Sequence, residues 1–185
     1  MTLAETASTF CETIIQKAAL ENSDKEEQIL ILEGALQNSC QIVVDITSRF
    51  IFEKEVIDRR KDTELSIEDL KTIMTEAQKA TYGDALDSNK LHPYMWAAKP
   101  HYYGSDFYNF PYMFGLLFGL GLYAAYEESP EKFKAKYDEL LSSTGMFSAA
   151  DLALKFGINI RDKSFWRSSL EVIKQDIARF NDLVT

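Results

Sequence analysis

The chain has 185 residues, of which 46% are hydrophobic and 26% charged, and its net charge is −9. That length suffices for one sizeable domain, and the composition is ordinary for a soluble globular protein. Because no basic stripe exists to neutralise phosphates, neither a nucleic-acid partner nor an anionic membrane surface is expected. Only four prolines and eight glycines are present, which favours long helices. We therefore predict an all-α fold, with residues 1–185 forming a single multi-helix domain.

Apolar residues early in the chain recur with the spacing of one helix face. They are Leu3, Ala7, Phe10, Ile14 and Ala18. A turn at residues 22–24 separates this first helix from a second one, which is predicted to run from about Lys25 to near Asp58. A helix of that length should span the whole domain.

The later elements are predicted mainly from their capping residues. Ser66 begins a third helix that ends near Gly83, and residues 84–106 form a long connection of the kind that is usually functional. Asn109 and Pro111 indicate the start of an uncharged helix. Further helices are predicted after Ser129 and Ser148, and a last one, capped by Ser164, extends through Leu183.

The uncharged run Phe110–Tyr126 is apolar enough to raise the question of a membrane span. It lies at the short limit for a span, and its flanks, Asp106 and Glu127-Glu128, are acidic. A buried core helix is the preferred interpretation. Two free, buried thiols at Cys11 and Cys40 are favoured over a disulfide. No secretory signal is recognised at the start of the chain, so we expect a cytoplasmic protein.

Both histidines of the chain, His92 and His101, lie in the aromatic connection before this helix. Their spacing matches no familiar zinc-ligand pattern, so His101 is favoured as a hydrogen-bond donor over a metal ligand. Tyr108 and Tyr112 are placed at the start of the following helix, where its dipole is positive. Phenol donors there could hold an oxyanion, although packing alone explains most tyrosines.

Glu5 and Glu12 are seven positions apart and project from one face of the first helix. On spacing alone, a solvated acidic face is the favoured explanation. The alternative makes one of them a metal ligand that its neighbours orient, but no histidine lies nearby in sequence to complete the set.

Several stretches together resemble the C-terminal part of oligoendopeptidase F, a member of the thimet-type family of zinc oligopeptidases. The resemblance covers essentially the whole chain. It is carried by Ala4–Phe10, His92–Trp96, Lys99–Tyr103, Phe107–Gly115, Lys136–Gly145, Ser148–Leu152 and Phe165–Leu170.

The resemblance implies a mostly helical catalytic domain in which zinc is held by the two histidines of an HExxH helix and by one glutamate. Glu5 falls on the position of that glutamate, which makes it the implied metal ligand. His101, Tyr108 and Tyr112 fall on positions that contact the tetrahedral intermediate, and Tyr103 is the implied substrate-binding residue. The implied substrates are short peptides.

The sequence departs from the family in that it contains no HExxH. One carboxylate cannot hold a catalytic zinc ion. We therefore expect a C-terminal fragment of a zinc metallo-oligopeptidase that binds no zinc and is inactive by itself. Its expected partners are a separate chain that carries HExxH and, through apolar area left bare, a second copy of itself. The alternative is a non-catalytic helical module that binds peptides or other proteins.

Overall fold

The computed structural model describes residues 3, 5–105 and 107–185. Ala4, the first residue of the Ala4–Phe10 motif, and Asp106, an expected flank of the uncharged helix, lie outside the described residues. No strand occurs within these ranges, and the predicted all-α fold is confirmed.

Four α-helices form the first half of the chain. They are α1 (Thr6–Asn22), α2 (Lys25–Cys40), α3 (Thr47–Arg59) and α4 (Ile67–Tyr82). The turn at residues 22–24 and the helix ends near Asp58 and Gly83 agree with the sequence prediction, whereas the π-helical segment within the second predicted helix was not predicted. A π-helix at Gln41–Ile46 joins α2 to α3, so the predicted long second helix is continuous from Lys25 to Arg59. Wider turns of this kind are rare and often occur at functional sites.

The second half begins with the predicted connection, which contains more helix than expected. It includes two 3₁₀ turns, Gly83–Ala85 and Met95–Ala98, and the short helix α5 (His101–Gly104). The remaining helices are α6 (Phe110–Glu128), α7 (Pro130–Ser142), α8 (Ala149–Lys155) and α9 (Lys163–Val184).

Local side chains fix the starts of α4, α8 and α9. Ser66 and Asp69 form a reciprocal capping box at α4, as the sequence predicts. The predicted cap of α9 is wrong by two positions: Asp162 is the cap, and its carboxylate accepts a hydrogen bond from the Ser164 N–H at 2.9 Å. Both residue types cap helices well, and the aspartate lies at the correct distance from the first free N–H groups.

The chain divides into two compact units. Unit 1 comprises Met1–Ser39 and Phe114–Thr185, and unit 2 comprises Cys40–Met113. The prediction of one domain over residues 1–185 stays a prediction. Cys11 and Cys40 are free, as predicted, but both are exposed rather than buried.

The core of unit 1 lies along α6, which confirms that the uncharged run is a buried helix. Its buried hydrophobic residues are Leu116, Leu117, Phe118, Leu120, Leu122 and Tyr123. On α1, the ring of Phe10 contacts three other rings, those of Tyr126, Phe133 and Tyr137. An ion pair between Lys17 and Asp176 joins α1 to α9.

A different helix has the length and composition that a membrane span requires. This is the continuous helix Lys25–Arg59, whose most apolar stretch has a mean hydropathy of 1.3 and is only 11% buried. Core helices and helices covered by a partner pass the same test. The finding therefore identifies a largely uncovered apolar helix.

Glycines let other elements approach α6 closely. A Cβ atom at Gly115 would lie 2.8 Å from the Cβ of Glu5, and one at Gly119 would lie 3.1 Å from Thr9. At Gly121 it would overlap the ring of Phe165 and lie 2.8 Å from the hydroxyl of Ser169. The start of α1 and the first turns of α9 thus pack directly on the backbone of α6.

We expect Gly121→Ala to lower the free energy of unfolding, because the added methyl group overlaps a packed ring. Overpacking costs roughly 1–3 kcal/mol, and the better helix propensity of alanine returns about 1 kcal/mol. Urea denaturation followed by circular dichroism measures the difference. Gly34→Ala is the matched control, since a Cβ there meets nothing within 4 Å, and it should be stabilising. Equal effects of the two substitutions would contradict this packing.

Candidate active site

The aromatic connection is anchored to α4 by a buried amide. The side chain of Gln78, which is 1% exposed, donates to the carbonyl of His92 at 2.9 Å and accepts from the His92 N–H at 3.1 Å. Both bonds use the backbone of His92, while its side chain is exposed. His92 therefore fixes the start of the connection through its main chain.

The structure brings together three of the predicted site residues in unit 2. The Nε2 atom of His101, on α5, lies 3.0 Å from the hydroxyl oxygen of Tyr112, in the first turn of α6. The ring of Tyr108 packs edge-to-face on that of Tyr112, with centroids 5.8 Å apart. A histidine and two phenols at a helix N-terminus form a set of donors suited to a developing negative charge.

The remaining nitrogen of His101, Nδ1, is buried and has no hydrogen-bond partner among the described residues. The Nε2 contact therefore orients the imidazole on one side only. If Nε2 carries the proton, it donates to Tyr112, and the Tyr112 O–H then donates to another acceptor.

Tyr103, the predicted substrate-binding residue, has different surroundings. It is 65% exposed, and its hydroxyl donates to the carbonyl of Trp96 at 3.5 Å. Its neighbour Tyr102 is directed inward, packs on Phe52 and donates to the carbonyl of Arg49 at 3.3 Å. Burial raises the pKa of Tyr102 well above its ordinary value. Tyr103 is thus accessible to a ligand, whereas Tyr102 ties α5 to α3.

A buried carboxylate fixes the chain just before α6. Glu53, on α3, is 7% exposed, and its Oε2 accepts a hydrogen bond from Asn109 Nδ2 at 2.8 Å. Burial raises the pKa of Glu53, while hydrogen bonds from Asn109 and the charge of His101 oppose that rise. Glu53 is therefore electrostatically coupled to the site.

A second buried charge, Arg49, lies one turn before Glu53. It is 5% exposed and pairs with Asp45 in the π-helix. Tyr82 of α4 donates to the other oxygen of Asp45 at 3.0 Å. Asp45, Arg49 and Glu53 are spaced four positions apart, so they lie on one helix face.

Glu5 belongs to unit 1, whereas His101, Tyr108 and Tyr112 belong to unit 2. Glu5 directly precedes α1 and is half-buried. Its carbonyl accepts from the Thr9 N–H at 3.1 Å and from the Ser8 hydroxyl at 2.9 Å. These bonds, with the close approach of Gly115, fix its backbone. Among the described residues its carboxylate keeps one long contact, 3.4 Å from the Ser8 hydroxyl.

The residues present do not fit a zinc ion by themselves. Zinc takes at least three protein ligands even in catalytic sites. Within residues 3, 5–105 and 107–185, no group of three His, Cys, Asp or Glu side chains could hold a metal ion. Glu5 would contribute a single carboxylate.

Comparison with known proteins identifies the family. Residues 1–172 match the model of Peptidase family M3. The chain belongs to peptidase family M3.

The fold agrees with this assignment. The crystal structure of oligoendopeptidase-F from Enterococcus faecium matches 99% of the chain, with a TM-score of 0.84 and 22% sequence identity. The chain spans only 35% of that protein, and it corresponds to a part of a metallopeptidase fold. No curated protein matches. The resemblance to oligoendopeptidase F is confirmed as a likeness of family and fold.

The buried polar residues of unit 2 were not predicted from the sequence. Those that form the contacts described above are Arg49, Glu53 and Asn109, and their half-buried partners are Asp45 and Tyr82. One signal was present, because Asp45, Arg49 and Glu53 stand at four-residue spacing and therefore fall on one helix face. Charged residues in such a position are seldom buried unless they are paired.

We expect Asp45→Asn to be strongly destabilising, because it leaves Arg49 buried without its charge partner. Breaking a buried ion pair in this way costs roughly 3–5 kcal/mol. Chemical denaturation measures the loss. Glu55→Gln removes one carboxylate from the exposed Arg59–Glu55 pair on the same helix, and such pairs contribute little. If Asp45→Asn lowers the free energy of unfolding no more than the control does, the guanidinium of Arg49 is hydrated in the variant and the ion pair contributes little.

The raised pKa of Glu53 predicts a pH-dependent stability. A carboxyl whose folded pKa is raised stabilises the fold below its unfolded pKa, near 4.5, and loses that contribution as the pH rises through the folded value. The free energy of unfolding of the wild type should therefore fall, relative to that of Glu53→Gln, as the pH increases from 4.5.

Denaturation at several pH values tests this expectation, with Glu55→Gln as the control. A difference in the free energy of unfolding between the wild type and Glu53→Gln that stays constant with pH would contradict the raised pKa of Glu53.

Proposed function

We propose that this chain is the part of a zinc-dependent metallo-oligopeptidase that supplies the third metal ligand and the oxyanion-binding loop. Its substrates are peptide bonds of short peptides. Glu5 serves as one zinc ligand, and the other two are histidines of an HExxH segment that this chain lacks. By itself the chain is inactive.

The observation that carries this proposal is the His101–Tyr112 contact in a chain of peptidase family M3. In the Nε2–H tautomer, His101 donates to the Tyr112 oxygen, which makes the Tyr112 O–H a stronger donor. In this role that O–H and the Tyr108 O–H donate hydrogen bonds to the peptide carbonyl oxygen as it becomes an oxyanion. Tyr103, which is exposed, contacts the substrate chain.

Glu5 supports the proposal from unit 1. A metal ligand must be held in a fixed position, and the backbone of Glu5 is fixed by Thr9, Ser8 and Gly115. Its carboxylate is half-buried and accepts only the long contact from Ser8 among the described residues, so it keeps acceptor capacity for a metal ion. Zinc, when bound by the complete ligand set, polarises the carbonyl and activates water.

Activity should appear only when the chain is combined with a second chain of the family that carries HExxH. In this complex Tyr112→Phe should lower kcat by roughly 10²–10³-fold, the usual effect of removing one oxyanion donor. Cleavage of a quenched fluorescent peptide measures both effects. Tyr94→Phe is the control, because Tyr94 is exposed in the same connection.

Two results would contradict the proposal. One is zinc-dependent cleavage by the isolated chain that Glu5→Ala abolishes, since the chain would then be active alone. The other is a Tyr112→Phe variant that is as active as Tyr94→Phe, since Tyr112 would then play no part in catalysis.

A second function, that of a non-catalytic interaction module, is favoured by the uncovered helix Lys25–Arg59. Leu30 on α2 is 68% exposed, and Ile15 on α1 is 69% exposed. Large bare apolar surfaces drive association. In this case the occupant is a second copy of the chain or an apolar partner protein.

We expect the isolated chain to self-associate, and we expect Leu30→Lys to weaken this association, because a charge on the apolar face must be desolvated. Light scattering over a wide concentration range gives the mass of the species. Met146→Lys is the matched control, since Met146 is 72% exposed outside α2. A monomer at all concentrations would exclude self-association through this helix.

A further inference from the structure

The buried pair Glu53–Asn109 is connected to the proposed oxyanion site through Asn109, which is near it in sequence, and through the electrostatic interaction of Glu53 with His101. Asn109 is 1% exposed and immediately precedes α6, three residues before Tyr112. Glu53 accepts from both the side chain and the backbone of Asn109 and interacts with the charge of His101. Nothing in the chemistry of peptide hydrolysis requires these two residues to touch the substrate.

The segment that Asn109 belongs to is held in an unfavourable conformation. Phe107 has a positive φ of 54°, which is unfavourable for a non-glycine residue and persists only where the surroundings enforce it. Its ring packs against Phe50 and Phe110, with centroids 5.4 and 6.1 Å away. Two residues later the Glu53 contact fixes Asn109, and Pro111 is fully buried.

We propose that Glu53 and Asn109 are positioning residues for the His101–Tyr112 hydrogen bond. By fixing Asn109, Glu53 sets where α6 begins and so where the first-turn residue Tyr112 presents its hydroxyl to His101. The positioning stands on the geometry alone, whereas its importance for catalysis rests on the function proposed above.

Packing alone does not explain why Glu53 and Asn109 are polar. A buried carboxylate whose hydrogen-bond donors are the neutral side-chain and backbone amides of one residue retains part of its desolvation penalty. The raised pKa of Glu53 reflects this penalty. An apolar pair of the same shape would carry no such penalty. Hydrogen bonds depend on direction, whereas apolar contacts do not. The two hydrogen bonds from Asn109 to Glu53 therefore restrict the position of Asn109 more tightly than packing would.

Nuclear magnetic resonance of the histidine rings tests the proposal without any need for activity. The chain contains only His92 and His101, so ¹⁵N-labelled imidazoles give two spin systems, and exposed His92 serves as the internal reference. Tyr112→Phe defines the His101 spectrum in the absence of the hydrogen bond. Glu55→Gln, on the exposed side of the same helix, is the control.

Asn109→Asp places two carboxylates against each other and should shift the His101 resonances toward those of Tyr112→Phe. In the double variant Glu53→Gln/Asn109→Asp the donor and acceptor are exchanged. The introduced glutamine amide then donates to the introduced carboxylate, and its oxygen still accepts from the backbone N–H, so the wild-type His101 spectrum should return. This return of the wild-type spectrum is not expected if the side chains at positions 53 and 109 contribute only by packing.

Three outcomes decide the matter, with circular dichroism confirming the fold of each variant. Rescue by the double variant supports the proposal. Unchanged His101 resonances in Asn109→Asp overturn it, and so does a shift that the double variant fails to reverse. If Asn109→Asp does not fold, Asn109→Ala replaces it and is judged by the same His101 shift. Failure here leaves the peptide-cleavage assay unaffected, so the two proposals fail independently.

Discussion

The organisation of unit 2 depends on the pairing of charges inside it. Asp45, Arg49 and Glu53 follow one another at four-residue spacing on a single helix face, and each is held by a partner within the unit. Burying them unpaired would cost several kcal/mol per ion. Their side-chain partners Tyr82 and Asn109 therefore decide where α4 and the start of α6 lie. Tyr102 adds a tie between α5 and the main-chain carbonyl of Arg49.

Unit 1 depends on a different constraint, the glycines of α6 at the positions where α1 and α9 approach it. The glycines at 115, 119 and 121 allow α1 and α9 to pack on bare backbone, which is possible only because no Cβ intervenes. Glu5 is held by this contact at the very start of α1. A carboxylate presented from a fixed backbone is suited to metal ligation, whereas one at a frayed terminus is not.

Most helices could be predicted from the sequence because their signals are local. Apolar spacing gave the length of α1 and of the helix from Lys25 to Arg59, and Ser66 and Ser148 gave the starts of α4 and α8. The α9 cap was misplaced because two good capping residues, Asp162 and Ser164, stand two positions apart.

The site was predicted only in part. The resemblance selected His101, Tyr108 and Tyr112, which the structure brings together. The Glu53–Asn109 contact could not be predicted, since it joins residues 56 positions apart and no local pattern encodes such a pairing. The role of Tyr103 as a substrate contact stays a prediction.

The most direct test of the central claim is a crystal structure of this chain combined with an HExxH-bearing chain of peptidase family M3 and zinc. We expect an oxygen of the Glu5 carboxylate at about 2.0–2.2 Å from the metal, the usual zinc–carboxylate distance. A zinc ion with a complete ligand set that excludes Glu5 would contradict it.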